Sequence, residues 1–407
     1  MIKRTIYLNK IRPFIRKPVI KVLTGIRRCG KSTLMLQIIE ELQNEGTRPD
    51  QIIYINKELF EFDGIREYKD LHNYVDSKSK NRKGYYYLFV DEVQEIDGWE
   101  KVINSFLAQK NYDIYITGSN ASLWSSELAT LLSGRYIEFK IYTLIFPEFE
   151  ELASENEKLL PDRDTFNTFL KFGGFPGIHL LDWDDNSIRQ YLQSVYSTIL
   201  LKDVVVRYNI RDAALLEKIV SYLTDNCGNI TSSKNISDYL KSQRWKVSVD
   251  TVQNYIHYCV SALLMEKVRR YDLKGKRILE ILEKYYVSDI GLRYAIIGYS
   301  PEAVSGQLEN IVLLDLLAHR FQIYVGKQYE KEIDFIAQKG NEKLYIQVCQ
   351  TLTDNKVVDR EYGPLEAVND HYPKYVLSLD KGFETSRKGI RWLNIKDFLK
   401  SPDKLRI

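Results

Sequence analysis

The chain has 407 residues, more than one ordinary hydrophobic core accommodates, so about two or three domains are expected. Its composition is 44% hydrophobic and 28% charged, which excludes a disordered or low-complexity chain. A net charge of +3 is too small to name a partner, so any basic surface must be local.

The first part alternates short apolar runs with longer mixed segments. Val19 to Thr24, Gln51 to Ile55, Tyr85 to Val90 and Asp113 to Thr117 read as buried parallel strands. Ser32 to Asn44 carries Leu34, Ile38, Ile39 and Leu42 at helical spacing. This is the rhythm of an open α/β sheet, with Tyr136 to Ile141 as a further strand. From Phe146 to Asp182 the pattern turns helical around a Gly173-Gly174-Phe175-Pro176-Gly177 turn, and Ser187 to Val206 reads as one long helix. Ala213 to Asp289 has winged-helix order: helices over 213–225, 235–241 and 249–264, then strands over 267–271 and 277–286. The last part begins near Gly306. It reads as a helix (307–320), three strands (321–325, 332–337 and 343–351), a helix (360–369), a strand (375–379) and a closing strand and helix (389–399). The expected domains are therefore 1–210, 211–300 and 301–407.

Four cysteines, Cys29, Cys227, Cys259 and Cys349, form no C-x-x-C pair. Neither a disulfide framework nor a zinc site is indicated, and a reducing, cytoplasmic setting is expected. Met1 to Lys10 is polar and basic, unlike a secretory signal, and no apolar run reaches membrane-spanning length. No membrane partner is expected.

Gly25-Ile26-Arg27-Arg28-Cys29-Gly30-Lys31-Ser32 fits G-x-x-x-x-G-K-[ST], with a strand leading in and a helix leading out. The glycines let the backbone approach a ligand closely, so successive N–H groups can face phosphate at the positive end of the helix. The loop through Thr33 is the expected ATP cradle. Lys31 would reach the β- and γ-phosphates, and Ser32 would hold Mg²⁺. Tyr85 to Val90 followed by Asp91-Glu92 is an apolar strand ending in two acids. Asp91 would hold the metal, and Glu92 would orient the attacking water. Thr117-Gly118-Ser119-Asn120 ends another strand; Asn120 or Ser119 is a candidate sensor of the γ-phosphate, with a plain turn as the alternative. Arg135, in Leu132-Ser133-Gly134-Arg135-Tyr136, is a candidate arginine finger, with a surface ion pair as the alternative. Cys29 admits two readings: an oxidation-sensitive thiol, or a small residue facing away from the ligand.

These motifs, with Leu-Ser-Gly-Arg-Tyr, Phe-Pro-Glu-Phe and the Gly-Gly-Phe-Pro turn, resemble the prokaryotic AAA+ ATPases related to the STAND and archaeal ATPase groups. The resemblance covers residues 1 to about 210. It implies ATP binding, a nucleotide-dependent conformational change, and Pro176 lying against the adenine. It also implies that the strand ending at Gly118 lies between the two other motif strands. Gly306 to Leu399 resembles the domain that commonly follows this ATPase type, which is similar to the PD-(D/E)XK nuclease fold. There Glu309 and Asp334 would hold a metal, followed by an acid and a lysine on the next strand. This chain instead has Gln347 and Cys349 at those two positions, so nuclease chemistry is expected to be lost.

The expected fold class is α/β: an AAA+ P-loop core with a parallel sheet, a winged-helix middle domain and an α/β nuclease-like C-terminal domain. The first functional reading is a Mg²⁺-dependent ATPase acting as a conformational switch on an unidentified protein partner. A finger acting in trans would require an oligomer. The alternative is a DNA-binding regulator or defence component. It rests on Lys241, Arg244 and Lys246 before the third helix and on Arg269, Arg270, Lys274, Lys276 and Arg277 in the wing.

Overall fold

A strand whose residues are all apolar must be covered on both faces, and the first unit is built on that requirement. The computed structural model describes residues 2–79, 84–118, 132, 134–155, 164–300, 304–382 and 386–401, the side chains of 280 and 281 aside. Its backbone contacts divide the chain into Met1–Tyr142 with Ser261–Leu263, and Thr143–Val260 with Leu264–Ile407.

In the first unit, helix α1 (Thr5–Ile11) precedes strand β1 (Ile20–Thr24) and helix α2 (Lys31–Asn44). Then follow β2 (Ile52–Asn56), α3 (Tyr68–Ser79), β3 (Tyr86–Asp91), α4 (Trp99–Ala108), β4 (Tyr112–Gly118) and β5 (Tyr136–Lys140). The five strands form one sheet in the order β2-β3-β4-β1-β5, every pair parallel. Every residue of β1, β3 and β4 is buried, which explains their continuous apolar character. Helix α4 buries Trp99, Val102, Ile103, Phe106 and Leu107, a stripe at helical spacing. Two charged residues lie inside β1 and β4, Lys21 and Asp113, both fully buried and paired with each other. Asp113 also accepts hydrogen bonds from the Tyr115 hydroxyl and the Arg16 N–H, each at 2.9 Å. Burial pushes the Lys21 pKa down, and Asp113 opposes that shift.

The second unit opens with helices α5 (Phe146–Glu155), α6 (Thr165–Phe172) and α7 (Asp185–Thr198). The long helix expected to Val206 changes character at Ile199: Ile199–Val206 is a π-helix. The Gly-Gly turn has a steric cause. Gly173 has φ 74°, and a Cβ there would stand 2.0 Å from a carboxylate oxygen of Asp289. A Cβ on Gly174 would stand 2.0 Å from the Leu144 carbonyl. Asp289 accepts from the N–H of Gly174 at 2.9 Å and of Gly291 at 2.7 Å. Burial raises its pKa to about 6, opposed by these bonds and one from Thr143.

Next come α8 (Ala213–Asp225), β6 (Ile230–Thr231), α9 (Ser233–Ser242), α10 (Val249–Ser261), β7 (Met265–Asp272) and β8 (Arg277–Val287). The remainder is α11 (Ile290–Ile297), α12 (Val304–Ala318), β9 (Gln322–Gln328), β10 (Lys331–Lys339), β11 (Glu342–Val348), α13 (Asn355–Glu366), β12 (Lys374–Ser378), β13 (Ser386–Arg387), β14 (Ile390–Asn394) and α14 (Ile395–Lys400). Nine strands join in one sheet, β13-β14-β12-β11-β10-β9-β7-β8-β6. Strands β7 and β9, from either side of the boundary expected near residue 300, pair in parallel through Arg270↔Val325, Tyr271↔Gly326 and Asp272↔Lys327.

Candidate functional site

Parallel strands end on the same edge of their sheet, and ligands of open α/β sheets bind at that edge. Here the edge collects Gly25 after β1, Asp91 and Glu92 at the end of β3, and Gly118 at the end of β4. Strand β4 lies between β1 and β3, as the resemblance implies for the strand carrying the polar tip. The register sets Leu23 beside Thr117, Thr24 beside Gly118, and Asn56 beside Asp91.

The loop owes its course to its glycines. A Cβ on Gly25 would stand 2.3 Å from the Ile141 carbonyl and 2.7 Å from the Cys29 sulfur. Gly30 takes φ 100° where the chain enters α2, a conformation that disfavours other residues. Ile26 and Cys29 are buried, Arg27 is half-buried, and Arg28 is exposed with φ 65°. Burial also raises the Cys29 thiol pKa, the opposite of what a reactive thiolate needs, so the small inward-packed residue is the better account of it. Ser32 and Thr33 are half-buried in the first turn of α2.

The charged side chains converge. The Lys31 ammonium donates to the carbonyls of Gly25 at 3.1 Å and Ile26 at 3.3 Å, and lies 3.7 Å from a Glu92 oxygen. Asp91 is fully buried and accepts from the Thr117 hydroxyl and, at 3.3 Å, from the Tyr54 hydroxyl. Burial, then the Asp91 charge, drives the Tyr54 pKa upward, so Tyr54 remains a donor. The Thr117 oxygen in turn accepts from the Glu92 N–H at 2.8 Å, so one hydroxyl fixes both acids. Glu92 has φ 54°, and its carboxylate accepts from the Gln94 amide.

Lys31, Ser32, Asp91 and Glu92 thus share one sheet edge. Asn120 lies outside the described residues. Arg135 does not join the cluster: it precedes β5 at the opposite edge of the sheet, exposed, with its guanidinium 3.3 Å from the Asn104 side-chain oxygen. The strand separating it from the loop edge is on the order of 16 Å long, beyond the reach of an arginine side chain. Pro176 opens the short helix Pro176–Leu180 in the second unit, half-buried beside the fully buried Phe175.

Sequence reasoning missed Thr117, Tyr54 and Arg4. Thr117 stood inside the motif that drew attention to Asn120. Arg4 sits in a segment noted only for its polar character, yet it is buried. Its guanidinium donates to the Cys29 carbonyl at 3.2 Å and the Tyr142 carbonyl at 3.0 Å. Its backbone N–H bonds Gln37 of α2 at 3.0 Å. A trans peptide points its C=O and the following N–H in opposite directions. Arg4 therefore turns the Gly30 N–H away from itself.

In the second unit, Glu309 of α12 and Asp334 of β10 meet around Lys284 of β8. The ammonium lies 2.7 Å from Glu332, 3.3 Å from Glu309 and 3.5 Å from Asp334. The Tyr286 hydroxyl donates to Glu309 at 3.1 Å. Gln347 accepts from the Asp334 N–H at 3.2 Å, and Asp334 accepts from the Val348 N–H at 2.9 Å. Cys349 is buried, and burial pushes its thiol up to about 12.

Phosphate loop, acid-tipped strand and intervening polar strand, on a parallel sheet of this order, make up an AAA-type P-loop fold, and residues 17–150 match a family model described as an AAA domain. Residues 163–303 match a second model, described as a domain of unknown function (DUF8612). An uncharacterized protein of Haemophilus influenzae is 36% identical over 98% of this chain and 98% of its own length. Another, from Methanocaldococcus jannaschii, is 32% identical over 90% of this chain and 83% of its own. The chain belongs to the family that these two proteins represent. A Walker-type ATPase of Pyrococcus abyssi aligns over 71% of this chain and 93% of its own at 16% identity, with a TM-score of 0.49. Among the described residues no helix is long and apolar enough to cross a membrane.

Proposed function

We propose that the loop Gly25 to Thr33 binds ATP with Mg²⁺, and that hydrolysis there switches the conformation of the chain for a protein partner. The observation that carries this reading is the convergence of Lys31, Asp91 and Glu92 on one edge, with Thr117 bonded to both acids. The loop N–H groups and Lys31 hold the phosphates. Ser32 and Asp91 are the oxygen donors suited to Mg²⁺, a hard cation, which would neutralise phosphate charge when bound. Glu92 orients and polarises the attacking water. Arg135, at the far edge of the sheet, serves only a neighbouring subunit's site, which calls for an oligomer. The family resemblance further assigns Pro176 to the adenine and Asn120 to the γ-phosphate. The test is a paired comparison. Lys31→Ala should abolish the nucleotide-induced rise in Tm, while Glu92→Gln should keep it and slow phosphate release. Turnover at the wild-type rate in Glu92→Gln would falsify the role of Glu92.

The same reading takes 1–210 as the ATPase region, 211–300 as a winged helix and 301–407 as a nuclease-like domain without nuclease activity. The winged helix is supported by the order α8-β6-α9-α10-β7-β8 and by antiparallel pairing of β6 and β7 with β8. The nuclease-like core is supported by α12, three antiparallel strands, α13 and the parallel β12. Loss of its chemistry is supported by Gln347, whose amide oxygen serves a backbone N–H, and by the buried Cys349.

A second reading, DNA contact, is favoured by exposed Lys241, Arg244 and Lys246 before α10 and exposed Arg269, Lys274, Lys276 and Arg277 on β7, β8 and their turn. Titrating labelled duplex at two salt concentrations tests it. Affinity that ignores salt, or no binding at all, would remove it.

A further inference from the structure

Two carboxylates on neighbouring elements of a nuclease-like fold imply a divalent cation between them, and the residues present do not fit one. Oxygens that ligate Mg²⁺ or Mn²⁺ stand at roughly 2.1 Å, and those that ligate Ca²⁺ at about 2.3–2.6 Å. Here the oxygens of Glu332, Glu309 and Asp334 stand 2.7, 3.3 and 3.5 Å from a nitrogen, the Lys284 ammonium. That is the spacing of charge-assisted hydrogen bonds and close ion pairs. Among the described residues no three His, Cys, Asp or Glu side chains are grouped to hold a metal.

We infer that Lys284 is the resident cation of this cluster: its ammonium occupies the place of a divalent ion and turns a metal-binding carboxylate set into an internal ion cluster. Three observations support it. The Lys284 side chain is 2% exposed, too dry for an unpaired ammonium. It comes from β8, outside the segment that carries Glu309, Glu332 and Asp334, so the charge is supplied across the nine-stranded sheet. Glu309 also accepts from the Tyr286 hydroxyl and Asp334 from the Val348 N–H, so both carboxylates are tied into the protein beyond Lys284. The inference stands on these distances and is independent of the ATP site.

The experiment uses the full chain without nucleotide and Mn²⁺ as the probe. Wild type should show no Mn²⁺ binding that Glu309→Gln or Asp334→Asn removes, read by electron paramagnetic resonance. Lys284→Ala should melt earlier than wild type and recover Tm as Mn²⁺ is raised, and adding Asp334→Asn should cancel that recovery. These controls separate the cluster from metal binding at Asp91. Should Lys284→Ala not fold, the charge-balanced pair Lys284→Met with Glu309→Gln should fold, since it removes both members of an ion pair. The inference is overturned by Mn²⁺ binding at Glu309 and Asp334 in wild type. It is equally overturned by a Lys284→Ala protein as stable as wild type, by one that ignores Mn²⁺, or by failure of the charge-balanced pair to fold.

Discussion

Lys31 and Lys284 are both buried lysines close to carboxylates, one in each unit, and their surroundings divide them. Lys31 donates to two neutral carbonyls and keeps a single carboxylate at 3.7 Å. Lys284 has three carboxylates within 3.5 Å. A lysine held mainly by carbonyls keeps most of its charge available to an anionic ligand. One ringed by acids has its charge cancelled before any ligand arrives. The same residue type thus stands open to a ligand in one unit and locked among acids in the other.

Four substitutions break or sharpen that contrast. The largest effect is expected from Glu92→Gln, which removes the carboxylate proposed to orient water and should keep the fold. Turnover should fall by about 100- to 10,000-fold with nucleotide affinity retained, measured by phosphate release and fluorescent-nucleotide titration. Lys284→Met leaves buried acids without their cation. The denaturant transition of the second unit should lose about 3–5 kcal/mol while nucleotide affinity holds. Loss of nucleotide binding instead would show that the two lysines are not functionally separate.

Asp289 gives a third test, by pH. Its folded pKa, about 6, lies above the ordinary aspartate value of 3.8, so the native state keeps a proton that the unfolded chain has released. Its contribution to stability is full below pH 4 and is lost as pH rises through 6, about 3 kcal/mol in all. Wild type should therefore lose up to that much relative to Asp289→Asn between pH 4 and 7, read from urea titrations at both pH values. An unchanged difference would mean that Asp289 ionises in the native state as freely as in the unfolded chain. The smallest effect is expected from Thr117→Val, which frees Asp91 and the Glu92 N–H from their shared hydroxyl. A 10- to 100-fold loss of Mg²⁺-dependent turnover is expected, with a lower Tm because the buried Glu92 N–H loses its acceptor.

Most of the first unit was legible in the sequence because its signals are local. Continuous apolar runs mark strands buried on both faces, and the expected limits fall within a residue or two of β1 to β4. Both acids and the phosphate loop were legible for the same reason: chain geometry at a strand end fixes where they point. What escaped depends on partners far apart in sequence. Arg4 reaches the phosphate loop from outside any motif. The pairing of β7 with β9 has no periodicity to betray it. Lys284 lies in a strand rich in charged residues, where an inward lysine cannot be told from an outward one. Its identity as a counter-ion appears only when α12 and β10 are folded beside it. Arg135 shows the converse limit. The motif was visible, but the polarity of β5 sends the residue to the far edge.

The continuous sheet has a mechanical meaning. Strand β7 is bonded to β8 on one side and β9 on the other, so the two strands proposed as a wing are not an independent flap. Tearing β7 from β9 would forfeit several backbone hydrogen bonds, about 1 kcal/mol each. The amides from β7 through β11 should accordingly exchange with solvent as one cooperative block. A force applied at the turn between β7 and β8 would be felt first as shear along the β7–β9 seam, and a ladder resists shear by loading all its bonds at once.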